Sequence, residues 1–571
     1  MIIQIHKSLL ITLTILVFCS LTLFAQEPEQ TYKLPPQALI DIADAPFTPR
    51  VSLSPDNEYM LLLNYPGLPS IEEVSQPELR LAGLRINHRT NGPSRDWYYD
   101  DLTIKKISDG IEKPVTGLPE KRHFTNVSWS SDSKKVAFTN TTSEGLYLWI
   151  LDIEKGEVSQ ISDLKINDAM GYPFSWLSDN KTLICKTIPS DRGEAPVKPL
   201  VPVGPVIQEN LGSKRPARTY QDLLKNEYDE SVFDYYSTSQ LAKISIDGQS
   251  TLIGSPQIYS DATPSPDGKY LLIETLHKPY SYAVPFYYFP LKSEIWDIDG
   301  NPVTLIADLP LADNIPVPFG STRTGRRSIS WRADAKATLY WVEALDDGDG
   351  GKEVDLRDEV YLLPAPFDKD PISLIKLNLR FNDIKWGDDK LALVSSSWWK
   401  TRQTKTWRVK PGSPGKKPEL IVDRSSEDRY SDPGDPLMTE SKYGTSILLT
   451  ADNGNTLFLS GNGASPEGDI PFLNEFNLTT KKTTKLFQSE APYYESIVRL
   501  LNADNRTLLT RRESVTEQPN YFIRNLKKEE LTQVTEFPHP TPQLKDVQKE
   551  QLRYERADGV QLTATLYLPA G

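Results

Sequence analysis

A short phrase, an Asp-centred turn followed by a β-rich run and usually preceded by another short strand, occurs eight times in this 571-residue chain. The copies are VSLSPDNEYMLLLN (Asp56), VSWSSDSKKVAFTN (Asp132), FSWLSDNKTLICKT (Asp179), ATPSPDGKYLLIET (Asp267), ISWRADAKATLYWV (Asp334), IKWGDDKLALVSS (Asp388), LLTADNGNTLFLSG (Asp452) and RLLNADNRTLLTRR (Asp504). Asp, Asn, Ser and Gly punctuate chains because they bond their own backbone or tolerate left-handed conformations, so each phrase predicts a hairpin. Successive Asp positions lie 47 to 88 residues apart, room for a four-stranded sheet plus insertions. The predicted class is all-β: a β-propeller of seven or eight blades, each stable only against its neighbours. Trp129, Trp176, Trp331 and Trp386 fall within the phrases and are read as packing between blades rather than as ligand platforms.

Three stretches depart from the repeat, at about 66–100, 190–230 and 345–358. The second is Pro-rich and then turns helical in character at TYQDLLKNEYDE. The third, LDDGDGGKEVDLRD, has the look of a calcium loop, but counting from Asp347 puts Gly351 at a ligand position and Lys352 where the turn glycine belongs. The EF-hand pattern therefore fails, and the stretch reads as a solvated turn.

At the N-terminus, Lys7 precedes an uncharged apolar run from Ser8 to Ala25, the pattern of a signal peptide spanning residues 1–25. Periplasmic or secreted location is the expectation, with membrane anchoring by residues 8–25 as the alternative. Losing residues 1–25 removes Lys7 and no acid, moving the formal net charge from −13 to −14. So acidic a chain disfavours nucleic acid, and anionic membrane after signal cleavage, as partners. Cys185 then remains alone in the apolar stretch TLICKTI, which reads as a buried inert thiol.

The C-terminal stretch LRYERADGVQLTATLYLPAG alternates apolar and polar residues about Asp558-Gly559, a hairpin signal. A lone hairpin is marginal in water without a covering layer, so residues 546–571 read as the opening of a further domain and 26–545 as the propeller.

Motifs for chemistry are absent. GASPEG has the wrong spacing for a nucleophile elbow, and Pro466 directly follows Ser465. His88, His123, His277 and His539 are scattered singly, without H-E-x-x-H or C-x-x-C. The basic aromatic stretch SWWKTRQTKTWRVKP reads as a blade hairpin. No catalytic, cofactor-binding or metal-ligating residue is assigned.

Several strings nevertheless resemble the prolyl oligopeptidase family of serine peptidases, in its glutamyl endopeptidase-like branch. They include ELRLAGLRINHRTNGPSR (78–95), RTYQDLLKNEYDE (218–230), SWWKTRQTKTW (397–407), DRSSEDRYSDPGDP (423–436), GNGASPEGDIPFL (461–473), LLTRRESVTEQPNYFIRNL (508–526) and RADGVQLTATLYLPAG (556–571). His88 departs from the pattern, standing where Pro is expected. The resemblance implies that the propeller gates access of peptide substrate to the protein's own C-terminal α/β-hydrolase domain, whose first hairpin is 546–571. It also implies that the Ser, Asp and His of the triad lie beyond Gly571, that this chain is inactive alone, and that the parent cleaves after glutamate. The alternative is a free-standing periplasmic β-propeller that binds a protein or peptide partner without catalysis.

Cleavage after glutamate requires a group that recognises a carboxylate, and a guanidinium does so with two charge-assisted hydrogen bonds. RLAGLRINHRTNGPSR concentrates Arg80, Arg85, Arg89 and Arg95 in the first insertion. Arg85, Arg89 and Arg95 are the candidate substrate-binding residues; the competing reading is that they pair with neighbouring acids and fix the loop.

Overall fold

All eight Asp-centred turns join the first and second strands of a four-stranded antiparallel unit. A computed structural model describes residues 33–201, 204 and 218–569, so the segment read as a signal peptide lies outside the described residues. The units span residues 50–113, 124–160, 174–257, 258–309, 327–377, 380–425, 435–488 and 494–533. The third and fourth share one strand, Ser250–Pro264, whose first half pairs backwards and whose second half pairs forwards.

The turn chemistry is local. Asp56 accepts from the Ser54 hydroxyl at 2.6 Å and the Glu58 amide at 3.0 Å; Asp132 and Asp267 repeat the first bond with Ser130 and Ser265 at 2.7 and 2.8 Å. Asp179 instead caps the Lys181 and Thr182 amides. In each case a carboxylate replaces the missing backbone partner of a tight turn.

Burial then joins the units in sequence. One apolar cluster bridges the first and second units through Leu61, Leu102, Phe124 and Phe138, and others continue from unit to unit. A last cluster packs Met60 and Leu62 of the first unit against Leu509 and Val534 of the eighth, closing the circle of contacts. The tryptophans sit at these seams: the indoles of Trp129, Trp176 and Trp331 donate across to Ser52, Ser128 and Thr263 of the preceding units at 3.0, 3.2 and 3.0 Å.

The seventh unit breaks its own first strand. Asp435–Pro436 and Thr450–Ala451 both pair with Thr456–Gly461, and between them the chain leaves as a hairpin, Met438–Glu440 against Ser446–Leu448. Its tip crosses the ring. The Thr445 hydroxyl donates to the Ala333 carbonyl in the fifth unit at 2.5 Å, and Gly444 lies so close to the second unit that a Cβ there would stand 2.2 Å from the Ser131 Cβ.

Strand alternation sends every loop between second and third strands to the face opposite the Asp turns. There the excursions gather. Residues 66–100 carry the helix Ile71–Ser75, closed by a Ser70/Glu73 capping box, and a small three-stranded sheet. The helix expected at TYQDLLKNEYDE begins later, as Glu227–Ser237, because the Asn226 side chain caps the Asp229 amide at 2.9 Å while Leu224 ahead of it is buried in the insertion core. This core joins Leu81 and Ile86, Phe233 and Tyr236, and Val284 and Phe289, from three separate units. The stretch 345–358 is not a solvated turn. Asp346 is buried and held by Arg357 and Arg380 at 3.0 and 2.7 Å.

The C-terminal strands Gln548–Glu555 and Gln561–Leu568 form the expected hairpin about Asp558-Gly559, with Gly559 at φ +86°. No residue of either strand is buried. The hairpin touches the same face as the excursions, where Arg553 donates to the Pro466 carbonyl at 3.3 Å.

Candidate functional site

Exposed large apolar side chains collect on the excursion face. Leu68, Ile71, Trp97, Val197, Tyr287, Phe319, Trp399, Tyr430 and Val515 all sit on second-to-third-strand loops or on connections between units, whereas Ile111 is the large exposed apolar residue described on a turn of the opposite face. Their gathering on one side of the units makes this face the candidate for interaction.

The three candidate arginines lie on this face with unequal freedom. Arg85 donates through Nε to Asp222 Oδ2 at 2.7 Å, tying the first insertion to the second; this hydrogen bond to Asp222 holds the guanidinium's pKa above the usual value. Arg95 donates to the Val74 carbonyl at 2.8 Å and stands 4.0 Å from Glu78. Arg80 also pairs with Glu78, at 2.6 Å, and its hydrogen bond keeps that carboxyl below the usual range. Arg89 is exposed, and its guanidinium makes no hydrogen bond or ion pair among the described residues. The geometry thus gives two of the three a loop-fixing role and leaves one free.

The same face also carries buried charge. Asp168, on the connection between the second and third units, accepts from Asn126 at 2.8 Å, and burial pushes its carboxyl up to about 7. Burial likewise brings Lys186 down to about 8. At the seam of the fifth and sixth units, Arg327, Arg357 and Arg380 surround Asp346 and Asp358, whose side chains are fully buried. Such a network fixes strand ends rather than offering a free binding group. No histidine side chain hydrogen-bonds a serine or cysteine among the described residues: His277 bonds Asp308 at 3.0 Å, and His123 stacks on Tyr98 at 3.7 Å. Cys185 is buried, and burial pushes its thiol up.

Two features of this face escape sequence reading. The three-to-two Arg/Asp network joins residues from Arg327 to Arg380, each of which reads alone as a solvated charge. An aromatic groove at the seam of the first and eighth units joins Phe47 to Tyr521; its one local signal is the run DWYYD at 96–100.

No family model matches the chain. Two curated relatives do, both named "Probable glutamyl endopeptidase, chloroplastic": that of Oryza sativa subsp. japonica is 43% identical over 568 residues, covering 95% of this chain and 60% of the relative. That of Arabidopsis thaliana is 43% identical over the same length, covering 95% and 59%. The chain thus spans about three fifths of the curated relatives it matches. Among solved structures, an acylaminoacyl peptidase of Pyrococcus horikoshii aligns with 91% of this chain and 57% of its own at 11% identity, with a TM-score of 0.36. A likeness that weak carries no argument here. The relatives correct one expectation: both are named chloroplastic, which overturns the periplasmic or secreted location and its membrane-anchored alternative. The acid-free N-terminal stretch that suggested export is a property that secretory and organelle-targeting leaders share.

Proposed function

We propose that the chain, 43% identical over 95% of its length to two proteins named "Probable glutamyl endopeptidase, chloroplastic", is the substrate-gating propeller portion of a serine peptidase of the prolyl oligopeptidase family that cleaves peptides after glutamate. In this reading residues 26–545 form an eight-bladed propeller, and 546–571 open an α/β-hydrolase domain that brings the nucleophile, base and acid. A plastid compartment, as in the relatives' names, is part of the same proposal.

The observation that carries the reading is the single face on which insertions, exposed apolar side chains and the uncovered terminal hairpin coincide. A hydrolase layer placed there would cover the hairpin, bury the apolar patch and confine the active site between the two domains, where short or unfolded peptide can enter and folded protein cannot. Carboxylate recognition by the first insertion falls to Arg89, with Arg85 and Arg95 holding the loop. The test compares the full-length protein with this chain. Only the former is expected to cleave Glu-containing peptides and to react with a serine-directed phosphonate. Hydrolysis by residues 26–571 alone, lost on substitution within them, sinks the proposal.

A further inference from the structure

Where the eighth unit closes on the first, the excursion face holds a groove of about 550 Å3. Its position follows from the strands. Arg50 is the first residue of the first unit's inner strand, Tyr65 follows that unit's second strand, and Trp97 precedes its third. Arg511 and Tyr521 come from the second and third strands of the eighth unit. The walls are aromatic: Phe47 stacks on Tyr65 with centroids 5.2 Å apart, and Trp97 meets the edge of Tyr65 at 6.2 Å. Trp97 leaves 74% of its surface uncovered.

The groove's charge is of one sign. In an acidic chain, the residues lining it include two arginines and no acid. Arg50 is exposed and makes no ion pair among the described residues; its bond is to the Tyr99 hydroxyl, at 3.2 Å. Arg511 reaches outward to Glu513 at 3.2 Å, with both side chains partly open to water, an arrangement weak enough for a better-placed carboxylate to replace. A planar guanidinium selects carboxylates, and ring faces select proline and aromatic side chains.

We infer that this groove binds an acidic, aromatic- or proline-containing stretch of the peptide substrate, with its carboxylates on Arg50 and Arg511 and its rings on Tyr65 and Trp97. The inference rests on the peptidase reading and adds a binding subsite that joins the end of the first insertion, at Trp97, to the eighth unit and does not use Arg89. Charge complementarity decides the occupant. The protein's own hydrolase domain would fill the groove without distinguishing glutamate from glutamine in an added peptide.

Fluorescence anisotropy with this chain and a fluorescein-labelled Phe-Glu-Pro-Glu-Phe peptide, against its Gln counterpart, tests it. The Glu peptide is expected to bind at least about tenfold more tightly than the Gln peptide, the scale of one charge-assisted bond. Arg50→Gln and Arg511→Gln should each reduce that difference, and the double variant should abolish it, while leaving the Gln peptide's affinity unchanged. Absence of binding, equal affinity for the two peptides, or loss of both affinities together in the variants overturns the inference. Cleavage after glutamate by the full-length protein is read separately, as kcat/KM, and survives any of these results.

Discussion

Arg380 and Asp358 meet at 2.6 Å across the seam of the fifth and sixth units, and the carboxylate has no exposed surface. The same guanidinium reaches Asp346 at 2.7 Å, and Asp358 also holds Arg327 at 2.5 Å. Removing one partner from such a network strands buried charge, which is far more damaging than losing an exposed pair. Asp358→Ala should therefore destabilise the chain by about 3–5 kcal/mol in urea unfolding. Asp469→Ala, which breaks the exposed pair with Arg429, should leave the midpoint nearly unmoved. Equal effects from the two would show that the network is not a stabilising element.

His123 supplies a pH dependence. Burial takes its pKa from 6.5 down to about 4, although Glu73 pulls the other way. Between those values the unfolded chain binds a proton that the folded chain refuses, so stability falls as pH drops from about 6.5 towards 4 and is unaffected above that window. The full effect is roughly 3 kcal/mol. His123→Phe, which keeps the stack on Tyr98, should flatten this part of the stability profile; an unchanged slope assigns it to other groups.

The terminal hairpin is expected to lower solubility. Tyr554, Leu566 and Tyr567 are 50%, 38% and 61% exposed on two strands with open edges, a template for pairing with other chains. A chain ending at Pro542 should scatter less light on heating and elute as a cleaner monomer. Indistinguishable aggregation would mean that the hairpin's edges are not available.

Gly444 tests the contact across the ring. Its φ is +75°, and an added methyl would collide with Ser131. Gly444→Ala should destabilise by more than the roughly 1 kcal/mol that left-handed backbone alone costs. Ser131→Gly in the same chain should restore the steric part and leave the backbone part, a coupling visible in a double-mutant cycle. Additive effects would place the two residues out of contact.

In the protein lacking residues 1–25, Cys185 should resist Ellman's reagent in the native state and react fully in denaturant, since its thiol is buried and its pKa raised. Rapid native labelling would show that its seam opens.

The legible part of this molecule was the local part. The Asp turns announce themselves because the residues that close a hairpin are adjacent in sequence, and the seam tryptophans because each sits two or three residues before its Asp. The strand Ser250–Pro264 was hidden because two runs that read as separate strands are continuous. The Asp346 loop was misread because its composition is that of a solvated turn; its buried partner Arg380 lies 34 residues away. Of the candidate arginines, the stretch 78–95 located the cluster, but nothing local to it revealed Asp222, which occupies Arg85 from a distance of 137 residues. The groove lined by Arg50 and Arg511 is invisible for the same reason, since the chain's two ends build it.

The hairpin 438–448 changes how such a ring can come apart. A circle of units that touch only their neighbours is close to a one-dimensional lattice, in which a seam can open while distant units stay folded. The bond from Thr445 to Ala333 and the contact of Gly444 with Ser131 link the seventh unit to the fifth and the second, as a chord links points on a circle. Opening any seam between those points then requires the chord to be drawn out as well. Loss of structure is thereby made concerted.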